Sequence, residues 1–213
     1  GQSDGRWYEL LEYVEAGSLA DLIQREGPEL EPELLEQVVA EMAPAIDHLH
    51  GLGVVHRDLK PANVLVRTRS PLDLVLADFG LAAVADQSVV FLSTSRTAAY
   101  AAPEALSGSV SAARDYWSLG MIVLEALTGS HPFAGLSQAV IDAQIATRPI
   151  DLSRVQDDRW LLLCQGLLTR DPDQAPIDGP WAGPRILYVQ HPSDPVTYWD
   201  PGWMTSPPGW MER

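Results

Sequence analysis

His56-Arg57-Asp58-Leu59-Lys60-Pro61-Ala62-Asn63 puts a carboxylate, an ammonium and a carboxamide into one short stretch. Taken singly, an Asp is most often surface charge and an Asn a turn residue, so the reading depends on what flanks them. Upstream, Pro32 opens a long helical pattern. Leu35, Val38, Val39, Met42, Ile46 and Leu49 recur at helical spacing on one face. Pro44 lies inside it and is expected to kink it, and Gly51 and Gly53 to stop it. Further upstream, Trp7 to Val14 mixes apolar and polar residues and predicts a short strand. Gly17 ends it, and Ser18 caps a short helix from Leu19 to Arg25. Downstream, Val64-Leu65-Val66 and Leu74-Val75-Leu76 flank a turn at Ser70-Pro71 and predict a small hairpin that runs into Asp78-Phe79-Gly80. Asp86 to Ala101 shows no strong period and predicts a long loop, followed by Ala102-Pro103-Glu104. Asp115 to Thr128 is apolar on nearly every side, the pattern of a buried helix. Ser137 to Ala146 and Asp158 to Leu168 predict two more. No internal repeat is present.

Composition narrows the function classes. A hydrophobic fraction of 46% supports a packed core. The net charge of −15 argues against nucleic acid and against an anionic membrane surface, both of which call for Lys and Arg; a basic protein or peptide substrate suits it. The single cysteine, Cys164, lies in the apolar run Trp160 to Leu168 and reads as a buried helix cysteine. It cannot form an internal disulfide, so a reducing, cytoplasmic setting is expected. The start, Gly1 to Arg6, is polar and does not read as a signal peptide. No apolar stretch is long enough to span a bilayer, and the lack of an initiator methionine suggests an excerpt. After Pro176 the chain is crowded with Pro, Gly and Trp (Trp181, Trp199, Trp203, Trp210), which excludes long regular elements. Two units are expected, 1–176 and a tail, 177–213.

In order and spacing, the stretch 56–63, Asp78-Phe79-Gly80, Ala102-Pro103-Glu104 and Asp115-Tyr116-Trp117-Ser118-Leu119-Gly120 resemble the catalytic lobe of the eukaryotic-type serine/threonine protein kinases. The resemblance covers about residues 7–176. It implies a mainly α fold with a short hinge strand, a small β-hairpin carrying the active-site loops, and an irregular tail. It implies ATP and Mg²⁺ as cofactors and a protein Ser/Thr hydroxyl as acceptor. Asp58 would orient the hydroxyl and accept its proton, and Lys60 would offset charge on the γ-phosphate. Lysine at this place resembles serine/threonine rather than tyrosine kinases. Asn63 and Asp78 would supply oxygen ligands to Mg²⁺, with the hairpin fixing their separation. His56 would be structural, packed with Phe79, and Asp115 would brace the loop's backbone. In the hinge, Leu11 would be gatekeeper, the backbone of Glu12 and Val14 would meet adenine, Leu65 would floor its pocket, and Ser18 would lie near the ribose. Arg57 would pair with a phosphate on the activation loop. Ser93, Thr94, Ser95 and Thr97 are the acceptors there, with Thr97 placed to contact Asp58 and Thr94 or Ser95 expected as the site.

The departures from that pattern are as informative. The chain starts just before the hinge, with no glycine-rich loop, strand lysine or helix glutamate ahead of it. The N-terminal lobe that clamps the ATP phosphates is therefore expected to be missing or supplied elsewhere, and the isolated chain to be weak or inactive. Ala175 stands where the family has an arginine that pairs with Glu104, so Glu104 is expected to lack a partner. Arg96 stands where a glycine commonly precedes Thr97. The tail, Arg185 to Pro201, with Gln190-His191-Pro192-Ser193-Asp194-Pro195-Val196, resembles a C-terminal piece of bacterial α/β-hydrolase-like membrane proteins. His191 and Asp194 would be its chemistry, but no Gly-x-Ser-x-Gly elbow accompanies them. The readings set against the kinase are a non-catalytic kinase-like fragment or binding module, and an α/β-hydrolase-related protein.

Overall fold

The computed structural model describes residues 2–3, 6–7, 12–26, 30–79, 83–84, 99–109 and 111–170. In chain order the elements are β1 (Gln2–Ser3), β2 (Arg6–Trp7), α1 (Leu19–Glu26), α2 (Pro32–Gly51), β3 (Val54–Val55), β4 (Val64–Arg69), β5 (Leu72–Leu76), β6 (Ala83–Val84), α3 (Ala113–Thr128), α4 (Gln138–Thr147) and α5 (Asp158–Leu167). One-turn 3₁₀ segments stand at Pro61–Asn63 and Pro103–Ser107. The architecture is mostly helical, with β4 and β5 as an antiparallel hairpin.

Each helix follows from its sequence. Pro32 opens α2, and Leu35, Val38, Val39, Met42 and Ile46 on its inner face are all buried. That burial carries the helix through Pro44 as one continuous element, although the proline removes a backbone donor. Beyond Gly51 the N–H of Leu52 closes on the carbonyls of His48 and Leu49, and Gly53 takes a φ of +73°. Helix α3 is buried nearly all round and packs against α2 and α5. At Gly120 an added Cβ would stand 2.8 Å from Leu167 Cβ, so only glycine lets α5 approach this closely. Asp157 caps α5, accepting the N–H groups of Arg159 and Trp160. One hydrophobic cluster joins α1, α2, the hairpin, α3 and α5. Cys164 lies inside it, and burial pushes its thiol up to about 12, so it is inert packing.

Three points differ from the expectation. Residues 12–14 form no strand; the segment leading to α1 joins β4 through a bridge between Ser18 and Leu65. The hairpin strands run longer than the apolar runs, because Thr68 and Arg69 continue the pairing with Asp73 and Leu72. Two short pairs were not anticipated: β1 with β2, and β3 with β6, in which Val54 faces Val84. Two-residue strands carry too little pattern to be read from sequence. Most of the expected 86–101 loop, and the tail from residue 171 with His191, Asp194 and Ala175, lie outside the described residues.

Candidate active site

The stretch 56–63 links β3 to β4 over the N-terminal end of α3. Asp115, in the first turn of α3, is 1% exposed. Its Oδ2 accepts the backbone N–H of His56 at 2.8 Å and Nε2–H of His50 at 2.9 Å, and its Oδ1 accepts the backbone N–H of Arg57 at 2.9 Å. A buried carboxylate with three donors, at the positive end of a helix, is well compensated. It also holds Arg57 at a φ of +71°, a conformation that costs a non-glycine residue free energy. Asp115 thus braces the loop as expected.

His56 is fully buried. Its Nε2 donates to the carbonyl of Ala77 at 3.0 Å, its Nδ1 faces the N–H of Asp58 at 3.4 Å, and its ring packs on Phe79 at 4.8 Å between centroids. Both ring nitrogens are engaged by the backbone, which suits a structural role.

Asp58 is 6% exposed. Its Oδ2 accepts from Lys60 Nζ at 3.1 Å and from Asn63 Nδ2 at 3.1 Å; Asn63 Nδ2 also donates to the Asp58 carbonyl at 2.9 Å. The other oxygen, Oδ1, is buried and has no hydrogen-bond partner among the described residues. A buried acceptor left unsatisfied is costly and calls for an explanation. The 3₁₀ turn Pro61–Asn63 then feeds β4, and the Asn63 carbonyl accepts the N–H of Ala77 at 2.9 Å. That bond sets Asp78, at φ +61° and exposed, next to the asparagine turn. The fold therefore joins Asp58, Lys60 and Asn63 by direct hydrogen bonds, and brings Asp78 to them through the hairpin.

Glu12, Val14, Ser18 and Leu65 form a second group. The segment from 12 to 18 runs along β4: the N–H of Val66 donates to the Gly17 carbonyl at 2.8 Å, and Ser18 bridges to Leu65. Leu65 is half-buried between the buried Val64 and Val66, and Val14 is half-buried. The Glu12 carboxylate receives Arg67 Nε at 2.9 Å and Nη2 at 3.0 Å, which holds its carboxyl below the usual range. The Ser18 hydroxyl is taken up in capping α1. It donates to Asp21 Oδ2 at 2.7 Å, and accepts the N–H of Asp21 at 3.3 Å. Hydrogen bonding from the Ser18 backbone, then its hydroxyl, lowers the Asp21 carboxyl. Among the described residues no hydrogen bond links Glu12 or Val14 to Asp58. Leu11, Gly80, Ser93, Thr94, Ser95, Arg96 and Thr97 lie outside the described residues.

Sequence reasoning missed several groups. His50 reaches Asp115 from α2, and its position at the helix end before the loop was the available signal. Glu104, whose expected arginine partner is replaced by Ala175 outside the described residues, accepts the Ser111 hydroxyl at 2.9 Å. Tyr100, just before Ala102-Pro103-Glu104, donates to Glu125 Oε2 at 2.5 Å, and its carbonyl accepts from Ser118. Its ring meets His131 at 4.6 Å. Burial and then Glu125 push the Tyr100 hydroxyl far up, and burial pushes His131 down to about 4. These contacts fasten the 99–104 segment to α3. Among the described residues no cluster of three His, Cys, Asp or Glu could hold a metal ion unaided, and no helix is long and apolar enough to cross a membrane.

Comparison with known proteins fits this geometry. Residues 2–176 match the family model described as the protein kinase domain. The serine/threonine-protein kinase AtPK2/AtPK19 of Arabidopsis thaliana is 34% identical over 180 residues, covering 84% of this chain and 37% of that protein. Ribosomal protein S6 kinase alpha-2 of Mus musculus is 33% identical over 174 residues, 80% of this chain and 23% of its own length. Serine/threonine-protein kinase PknB of Mycobacterium leprae is 36% identical over 141 residues, 64% of this chain and 22% of its own length. The chain thus spans well under half the length of these relatives.

Proposed function

The chain belongs to the protein kinase domain family, and on that premise we propose that it is the catalytic part of a serine/threonine kinase that moves the γ-phosphoryl group of ATP to a protein hydroxyl. The observation that carries this reading is the divided state of the Asp58 carboxylate. Lys60 and Asn63 hold Oδ2, while Oδ1 is left without a partner among the described residues. That is the arrangement a positioned proton acceptor needs. A substrate Ser or Thr hydroxyl donates to this carboxylate. As its oxygen forms the new bond to the γ-phosphorus, its proton passes to Asp58, and the bond to the bridging oxygen breaks to release ADP. Lys60, within reach of the same carboxylate, offsets charge on the transferring group.

Asn63 and Asp78 suit Mg²⁺. Asn63 Nδ2 is engaged by Asp58, so its Oδ1, together with the Asp78 carboxylate, would hold the cation. Few protein ligands are needed, because Mg²⁺ keeps waters and takes phosphate oxygens; when bound it offsets phosphate charge. In this reading the backbone of Glu12 and Val14 meets adenine, Leu65 floors its pocket and Ser18 lies at the ribose edge. Residues 1–176 act as one unit with 177–213 as a tail, in a cytoplasmic setting.

Thermal unfolding with and without Mg-ATP tests it. A ligand that binds only the folded form raises the midpoint, by several degrees, roughly, at saturation. The chain alone is expected to shift weakly at most; supplied with the N-terminal lobe it is expected to shift fully, and Asp78→Ala not to. Asp58→Asn is expected to keep the shift but lose phosphoryl transfer to a basic peptide by about 10²-fold or more. No shift even with the N-terminal lobe supplied would overturn the reading and favour a non-catalytic binding module.

A further inference from the structure

The hairpin contains a local fault in its pairing that the phosphoryl-transfer chemistry does not use. Val66 faces Leu74, but the next pair is Thr68 with Asp73, so Arg67 is an extra residue on β4. A bulge of this kind bends the strand and re-aims one side chain. Here the re-aimed side chain is a guanidinium flanked by two carboxylates. Its Nε and Nη2 donate to the two oxygens of Glu12, at 2.9 and 3.0 Å, and its Nη1 donates to both oxygens of Asp73, at 3.2 and 3.0 Å. The planar fork of arginine makes such a double bidentate contact; lysine cannot.

The position of the clamp matters more than its strength. It sits at one end of the contact between segment 12–18 and β4. The Gly17–Val66 hydrogen bond and the Ser18–Leu65 bridge lie at the other end. Between them the segment passes Tyr13, which is 85% exposed, and before Leu19 only the half-buried Ala16, among the described residues, packs against the core. Without Arg67 the stretch before Gly17 has no other hydrogen bond to the hairpin among the described residues.

We propose that Arg67 is a positioning residue for the nucleotide: aimed by the bulge, it clamps Glu12 to the hairpin and fixes the height of the 12–14 backbone over Leu65. This rests on the kinase reading of the site, in which that backbone reads adenine. Arg67 itself touches no reacting atom. Its contribution is preorganisation: a segment already held in its binding geometry loses less freedom when the ligand arrives. Because the arginine and both carboxylates are well exposed, the effect is modest and screened by salt.

The test uses the whole chain and two readouts. Hydrogen exchange of the amides of residues 12–18 without nucleotide reports the clamp alone. Calorimetric titration with adenosine and with Mg-ATP reports its consequence. Arg67→Ala is expected to speed exchange in 12–18 and to weaken adenosine about two- to fivefold at low salt. Glu12→Gln should reproduce both changes, whereas Asp73→Asn should have little effect and Arg67→Lys should restore part of the affinity. The gap between wild type and Arg67→Ala should close near 1 M salt, which a merely structural packing role would not produce. If the chain is assayed as a kinase, KM for ATP should rise with kcat unchanged. Unchanged exchange in both Arg67→Ala and Glu12→Gln, with wild-type nucleotide binding intact, overturns the clamp and leaves the kinase reading standing. Faster exchange in a chain that binds neither adenosine nor Mg-ATP overturns the nucleotide role together with that reading.

Discussion

The loop 56–63 and the segment 12–18 are both irregular backbone beside the same hairpin, yet they are held by different physics. The loop is pinned from below by a carboxylate that is 1% exposed, and His56, Asp58 and Asn63 are themselves buried. The segment is held from the side by ion pairs whose partners are about half exposed, 42% for Arg67 and 56% for Glu12. Buried charge-assisted bonds are stiff and costly to break, whereas exposed pairs are cheap and sensitive to salt. The groups proposed for bond-making thus sit where geometry is rigid, and those proposed for ligand entry sit where it can yield. Changes at the two regions should therefore differ by several-fold in free energy.

The largest effect is expected at Asp115. Asparagine there keeps the shape, but its single oxygen can serve only one of the two backbone donors of His56 and Arg57. The amide NH₂ would face the other donor. Asp115→Asn should destabilise by about 2–4 kcal/mol, read as a lower urea midpoint with unchanged slope. It should also release Arg57 from its left-handed conformation. A loss below about 0.5 kcal/mol would mean that the loop holds its own shape and that the contrast drawn above is wrong.

An intermediate effect comes from the wall beneath the 99–104 segment. His131 is pushed down to about 4 by burial, from an ordinary value near 6.5. The unfolded chain therefore takes up this proton first. The stability His131 contributes is complete above pH about 6.5 and is lost as pH falls toward 4. The slope is at most about 1.4 kcal/mol per pH unit, and less because the ring is partly exposed. Glu125, whose carboxyl burial raises, works in the opposite sense in the acid range. The informative quantity is therefore the difference between wild type and His131→Asn across pH 4–7. That difference should grow as pH rises from 4 and level off above about 6.5. A constant difference would place the ring in solvent.

Much of this arrangement was legible in the sequence, and what was not has a common cause. The faces of α2 and α3 and the buried cysteine follow from periodicity and apolar runs. The order of Asp58, Lys60, Asn63 and Asp78 is local enough to be recognised as a motif. Arg67 was not legible, because a one-residue shift of register decides its direction and nothing in Val64 to Leu76 announces where the shift falls. The His50 contact with Asp115 spans 65 positions in the chain. The Ser111 hydroxyl that meets Glu104 comes from the irregular stretch before α3, which no motif marks. Local pattern predicts elements; pairings between elements depend on tertiary packing.

The smallest effect separates two uses of one side chain. Ser18 caps α1 and is also the proposed ribose contact, and its hydroxyl is committed to Asp21 in the absence of ligand. Ser18→Ala and Asp21→Asn each break that capping box, and each should destabilise by about 1 kcal/mol or less. Only Ser18→Ala also removes a hydroxyl from the ribose edge. If Ser18 meets the nucleotide, Ser18→Ala should weaken adenosine more than Asp21→Asn does, while adenine binds both variants alike. Equal losses would assign Ser18 wholly to the helix cap, and a larger loss in Asp21→Asn would move the ribose contact to Asp21, whose carboxylate is the other polar group at that turn.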